Sequence, residues 1–189
     1  GQRALGTLVL SLATFMNVLD ASIANVSLPA IAGDLGASVH QGTRVITGFG
    51  IATAISVPLT GWLTQRFGAV RLWTSSVLLF VLASMLCGLA TSLEMLVAAR
   101  VLQGLVAGPL MPLSQTLLMA TYPRAQAGRA LAFWGMTTLV APVVGPLLGG
   151  WLTDNLSWPW IFFINLPVGL LAAAVGWSLY RTRETPTRR

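Results

Sequence analysis

The sequence predicts an all-α integral membrane fold of six transmembrane helices. Three observations carry that prediction. The chain divides into six continuous apolar runs, most of its few charges lie between those runs or at their ends, and the basic residues concentrate in every second connection. Only 8% of the 189 residues are charged while 55% are hydrophobic, and the mean hydropathy is +0.77. A soluble domain carries about 25% charged residues. A chain with so few polar groups cannot cover its own surface in water, so its solvent is lipid.

Spans are expected at 5–30, 43–63, 71–91, 94–119, 129–152 and 160–180. Each reaches the roughly 20 residues that a helix needs to cross a ~30 Å hydrocarbon core. The runs are continuous rather than alternating, which argues for helices over strands. A helix also satisfies its own backbone in lipid.

The first span is too long for the apolar region of a signal peptide and no small-residue cleavage site follows it, so it reads as a retained helix. The chain begins Gly-Gln-Arg, and the missing Met reads as the mark of a fragment. This span carries Asp20, Ser22 and Asn25. The second opens at Arg44, which reads as snorkelling from the span to the interface, with contact to Asp34 or to a substrate as alternatives. The third holds Cys87, alone in the chain and inside an apolar run, so it forms no intrachain disulfide and reads as a small core residue. His40 is also alone, in the 32–42 connection, without the partners a metal site needs.

The fourth span holds Arg100, Gln103, Ser114 and Gln115, with Gly104, Gly108, Pro109 and Pro112 among them. The fifth holds Pro142, Gly145, Pro146, Gly149 and Gly150. Glycines at spacing four let helix backbones approach closely, and prolines remove helix hydrogen bonds. Both spans are therefore expected to bend or slide. Ser22, Asn25, Gln103, Ser114 and Gln115 either bond between helices or line a cavity. The sixth span begins near Trp158-Pro159-Trp160 and runs into Arg-rich 181–189, so residues 1–180 form the bundle and 181–189 the cytoplasmic start of a linker.

All eleven basic residues are arginines, and the pI is about 11.4. Arg3, Arg66, Arg71, Arg124, Arg129, Arg181, Arg183, Arg188 and Arg189 fall on one side. Arg44 falls on the other with Asp34, Glu94 and Asp154. This bias places both ends in the cytoplasm and accounts for the basic composition without nucleic acid. Trp62, Trp73, Trp134, Trp151, Trp158, Trp160 and Trp177 all lie near span ends, where indole rings prefer the interface. Connections 32–42 and 120–128 are the long ones. Six spans with both ends inside also divide into two triplets of opposite orientation, the topology of inverted three-helix repeats.

Asp20 and Arg100 do not sit at helix ends. A charge at the bilayer centre costs at least ~2.5–3.5 kcal/mol on insertion scales, so it faces a partner or a water-filled cavity. At ~1.5 Å per residue both lie on the order of 9–15 Å below the outer surface. They occupy the first helix of each triplet, which makes a pairing geometrically plausible. Desolvation favours a neutral carboxylic acid and a nearby cation favours the ionised form. That competition would let Asp20 load and release a proton. The alternative is an ion pair that merely locks two helices.

Five segments resemble the major facilitator superfamily, specifically its EmrB-like branch of fourteen-helix drug:proton antiporters. Leu19-Asp20-Ala21-Ser22-Ile23-Ala24-Asn25-Val26-Ser27-Leu28-Pro29 is similar to that branch's first-helix motif. Gly61-Trp62-Leu63-Thr64-Gln65-Arg66-Phe67-Gly68, followed by Arg71, resembles the superfamily's loop motif between helices two and three. Gln65 stands where an acid is usual, and Ala69 and Val70 where bases are. Leu96 through Arg100 to Gln103-Gly104 resembles the fourth-helix motif. Gly145-Pro146-Leu147-Leu148-Gly149-Gly150 resembles the fifth-helix antiporter motif, and Trp158 through Pro167 the start of the sixth helix.

The resemblance implies the N-terminal half-bundle of a major facilitator fold, built of two inverted three-helix repeats, with the fifth-helix motif packed on a helix of the missing C-terminal half. It implies export of hydrophobic or cationic drug-like compounds across the bacterial inner membrane in exchange for protons. No cofactor is expected beyond the proton gradient. The implied partners are the C-terminal half and, for EmrB-like proteins, a periplasmic adaptor and an outer-membrane channel. Uptake by symport and a non-transporting membrane anchor are the competing readings. An enzyme is not expected, since the sequence offers no nucleophile–base pair, metal cluster or phosphate loop.

Overall fold

A computed structural model of the chain describes residues 2–183 and 186–187. The side chains of Arg3 and Arg183, and residues 184–185 and 188–189 entirely, lie outside the described residues. The expected linker start, 181–189, begins with a 3-10 turn, Arg181–Arg183.

Six helices are long and apolar enough to cross a membrane: α1 (Ala4–Asp34), α2 (Val39–Phe67), α3 (Ala69–Gly88), α4 (Leu93–Thr121), α5 (Ala127–Asn155) and α6 (Trp160–Tyr180). No strand occurs among the described residues. The chain is a multi-pass membrane protein. Four helices contain and overrun their expected spans, α6 matches its own, and α3 starts at Ala69 but stops at Gly88, short of the expected residue 91. The expected long connection 32–42 is a correction: α1 continues to Asp34, and a helical turn, Val39–Gly42, opens α2. Ser38 starts that turn, because its hydroxyl accepts from the Gln41 N–H while the Gln41 side chain accepts from the Ser38 N–H. This reciprocal pair satisfies two backbone donors that a helix start leaves over. The 120–128 connection likewise shortens, with α4 reaching Thr121 and α5 starting at Ala127.

The prolines act differently from one helix to the next. In α4, Gly108-Pro109 interrupts the helix between Ala107 and Leu110. In α2, Pro58 falls in a 3-10 turn, Val57–Leu59. In the fifth helix Pro142 and Pro146 both lie inside one continuous helix, Ala127–Asn155. At the α2–α3 turn Gly68 has φ +91° and ψ +147°, a backbone region that side chains avoid.

Helix α1 runs through the centre and packs on α5, α6 and the second part of α4. Helix α4 packs on α2 and α3, and α3 packs on α6. Exchanging α1 with α4, α2 with α5 and α3 with α6 reproduces these pairings. That is the contact pattern of two inverted triplets, and it appears although the two halves share little sequence. Helices α2 and α5 are equivalent in this scheme, and both leave wide apolar faces exposed, among them Ile51, Ile55 and Trp62 on one and Leu139, Val143 and Leu147 on the other.

Burial divides into two clusters. One surrounds Trp73, Phe80, Leu110 and Tyr180, and the other surrounds Ile31, Leu96, Trp158 and Phe162. Two tryptophans expected at the interface are in these cores. Trp73 is fully buried and its indole N–H donates to Ser114 at 3.0 Å. Trp158 is buried and donates to the Asp34 carboxylate at 2.9 Å. Trp62, Trp151, Trp160 and Trp177 are exposed.

Candidate functional site: a buried ion pair

Asp20 lies midway along α1, and Arg100 lies in the first half of α4. On α1 the neighbours Met16 and Ile23 belong to different core clusters. The charges therefore sit at the junction of the two cores rather than within either. The Arg100 Nη1 meets Asp20 Oδ2 at 2.5 Å, with side chains 1% and 0% exposed. Desolvating two charges costs several kcal/mol per ion unless further hydrogen bonds complete the geometry.

Those bonds are present. Arg100 Nη1 also donates to Gln103 Oε1 at 2.8 Å, and its Nε donates to the Val45 carbonyl at 3.4 Å. Asn165 of α6 donates to the second carboxylate oxygen of Asp20 at 3.2 Å and to the Ser84 hydroxyl at 2.8 Å. Ser84 in turn donates to the Phe162 carbonyl at 2.7 Å. Cys87 is buried as expected, with its Sγ 3.6 Å from Gln103 Oε1. The guanidinium carbon lies 4.1 Å from the Phe49 ring centroid and 5.7 Å from that of Phe162. Five helices thus contribute: α1, α2, α3, α4 and α6.

The sequence reading missed Asn165, Ser84, Phe49 and Phe162. Asn165 alone carried a signal, as an amide within a strongly apolar run. The structure also separates the five polar candidates. Gln103 and Ser114 are fully buried, held by Arg100 and by Trp73, so they bond inside the bundle rather than line a cavity. Ser22 and Asn25 donate back to carbonyls of α1 and stay partly or fully accessible. Gln115 is exposed and lines a groove of about 390 Å³ between α1, α2 and α4, together with Asn17, Phe49, Thr53 and Met111. A larger hollow of about 490 Å³, near Thr7, Tyr122 and Arg129, lies at the other end of α1, on the order of 20 Å from Asp20 at ~1.5 Å per residue.

Gly145 and Gly149 of α5 face α1. A methyl group on Gly145 would stand 2.8 Å from Ser22 Cβ, and one on Gly149 would stand 2.7 Å from Ile23 Cγ1. Within this chain the glycine stripe of the fifth-helix motif is occupied by α1. Pro142 and Pro146 are on the exposed face, and Gly150 has no neighbour there. In the loop motif, Arg66 stacks over Trp62 and Phe67 at about 6 Å, while Gly61, Gln65 and Arg71 are exposed. Arg44 is exposed and lines a shallow groove with Glu94.

The sequence model of the Major Facilitator Superfamily matches residues 10–189. The chain is 60% identical over 185 residues to the multidrug export protein EmrB of Haemophilus influenzae, covering 98% of this chain and 36% of that protein. It is 57% identical over 183 residues to the fatty acid resistance protein FarB of Neisseria gonorrhoeae, covering 97% of this chain and 36% of that one. The chain thus spans little more than a third of the length of these relatives. The crystal structure of the peptide transporter POT in complex with sulfate superimposes with a TM-score of 0.80 at 18% identity, over 93% of this chain and 38% of that one. The fold, the inverted pairing of its helices and a match over nearly the whole sequence lead to one assignment: the chain belongs to the Major Facilitator Superfamily.

Proposed function

We propose that this chain is the N-terminal six-helix half of a proton-coupled antiporter that exports hydrophobic and cationic drug-like compounds across the bacterial inner membrane. The observation that carries the reading is the Asp20–Arg100 pair, fully buried where five helices meet. Asp20 is the proton carrier. Opened to water, its carboxylate takes up a proton and leaves Arg100 held by Gln103 and the Val45 carbonyl. Closing the bundle around the ionised pair returns the proton to the other side. Arg100 and Asn165 position the carboxylate in its ionised form. The groove beside it, with its apolar walls and the amides of Asn17 and Gln115, forms part of the substrate cavity; Ser22 and Asn25 lie on the same helix toward its outer end.

The names of the relatives support export as the direction, since two are called multidrug export and fatty acid resistance proteins. Gly61, Gln65, Arg66, Gly68 and Arg71 form the cytoplasmic loop motif. Pro142, Gly145, Pro146, Gly149 and Gly150 form the antiporter motif, here the seam between α5 and α1. Both ends of the segment are cytoplasmic. The C-terminal half completes the cavity, and a periplasmic adaptor with an outer-membrane channel carries the compound onward.

The test is Asp20→Asn in the complete transporter, in inside-out vesicles acidified by respiration. Addition of an apolar cation is expected to release protons from wild-type vesicles and to release none from the variant. Undiminished proton release from Asp20→Asn would remove the carboxylate from the mechanism. Substrate accumulating in the direction of proton flow would replace export by symport.

A further inference from the structure

We infer that Phe49 is the wall between the open groove and the buried ion pair, and that movement of its ring admits water to Asp20 and Arg100. The inference rests on the proton-carrying role proposed for Asp20, and it assigns the entry point that role requires.

Three observations place the ring. On one side Phe49 lines the 390 Å³ groove, beside Asn17, Thr53 and Met111. On the other its face covers Arg100, with the guanidinium carbon 4.1 Å from the ring centre. The residue is 7% exposed, whereas Arg100 behind it is 1% exposed. One aromatic ring is thus the layer that separates the hollow from the charges. A cation held against an aromatic face in a desolvated site contributes ~2 kcal/mol or more. The closed arrangement is therefore favoured without being fixed.

The backbone beneath the ring is held firmly, which confines motion to the side chain. Gly104 of α4 packs directly on the Phe49 carbonyl, where a Cβ would come to 2.5 Å. Thr53 and Ser56, one and two turns further along α2, both donate to the Gly104 carbonyl at 3.3 Å. Gly50, next to Phe49, has nothing within 4 Å of where its Cβ would be. So α2 is clamped to α4 on one face and open beside the ring on another. Turning the ring into the groove uncovers the guanidinium without separating the helices. A substrate filling the groove holds the ring in place and keeps the pair dry. Occupancy of the groove and hydration of the charges are then linked through one side chain.

The test uses the complete transporter in membranes and needs no transport to occur. Cys87 is the only cysteine in this sequence. It is buried, and its Sγ touches Gln103, the residue bonded to Arg100. Its alkylation by N-ethylmaleimide, followed on its own peptide by mass spectrometry, reports water and reagent reaching the network. Phe49→Ala is expected to speed that alkylation about thirtyfold, the scale set by losing a desolvated cation–π contact. Phe49→Tyr, which keeps the ring, is expected to react at the wild-type rate. Phe49→Val gives the same reading if the alanine variant does not accumulate. Unchanged Cys87 reactivity in folded Phe49→Ala or Phe49→Val protein overturns the inference. Faster Cys87 alkylation together with an Asp20→Asn transporter that still exchanges protons would keep the wall and discard the proton carrier. The reverse pair of results would keep the carrier and discard the wall.

Discussion

A guanidinium spreads its donors around a plane and leaves two faces for aromatic rings, and Arg100 uses both features. Its nitrogens serve Asp20, Gln103 and the Val45 carbonyl, and its faces meet Phe49 and Phe162. Removing it alone leaves the Asp20 carboxylate buried with Asn165 as its remaining donor. Breaking a buried pair in this way costs about 3–5 kcal/mol, whereas replacing both partners by neutral groups is far milder. Arg100→Met is therefore expected to lower the thermal unfolding midpoint of the complete transporter well below that of Asp20→Asn/Arg100→Met. Equal midpoints for the single and the double variant would show that the pair is not energetically coupled. Asp20 and Arg100 were legible in the sequence because a charge inside an apolar run is rare and must be compensated. Asn165 and Ser84 were not, because a single amide or hydroxyl in a lipid-spanning helix has many harmless roles. Only the fold brings Ser84, Asn165 and Asp20 together across three helices. Gln103 and Ser114 were read as possible cavity residues for the converse reason: a sequence shows that a side chain is polar and not which way its helix turns it.

Between helices in lipid there is little hydrophobic drive to associate, so close van der Waals approach and hydrogen bonds hold the pairs. The α2–α4 and α1–α5 seams show this with small residues at their closest points. Gly104 lies against Phe49 and Ala52, and Gly145 and Gly149 lie against Ser22 and Ile23. Spacing-four glycines were legible as a packing stripe, but their partner was not, and it proved to be α1. The prolines were legible only as a disturbance. Whether Pro142 and Pro146 break a helix depends on the packing around it, and here α5 continues through both, while Gly108-Pro109 interrupts α4. At the α2–α4 seam the geometry sets a cost. An added methyl on Gly104 would stand 2.5 Å from the Phe49 carbonyl oxygen and 2.8 Å from Ala52 Cβ, so the two backbones must separate. Overpacking of this kind costs about 1–3 kcal/mol. Gly104→Ala is expected to lower the unfolding midpoint, whereas Gly128→Ala, with nothing within 4 Å of its Cβ position, is expected to leave it in place. Equal midpoints for the two would mean that the seam relaxes without loss.

At the scale of the whole molecule the sequence was most informative, because lipid imposes one requirement on every residue of a span. Six apolar runs had to be six helices, and the structure lengthened four of them without adding or removing one. The inverted symmetry was legible only as topology, since helix contacts rather than residue identities carry it: α1 on α5 repeats α4 on α2, and α1 on α6 repeats α4 on α3. The same alternation fixes which loops share a side. Arg66, Arg71, Arg124, Arg129 and Arg181 fall at one end of the bundle among the described residues, and Arg44 falls at the other with Asp34, Glu94 and Asp154. Arginines near span ends are retained in the cytoplasm, so the α4–α5 connection should face inward and the α1–α2 connection outward. Gln126 and His40 are exposed in or beside those two connections. In intact spheroplasts, a membrane-impermeant maleimide is expected to label His40→Cys in the complete transporter and to spare Gln126→Cys until the membrane is opened. Buried Cys87 contributes no background on that timescale. Labelling of Gln126→Cys alone would invert the bundle and reverse the side from which Asp20 takes its proton. Orientation and coupling direction are therefore one question, and the side from which His40→Cys is labelled answers it.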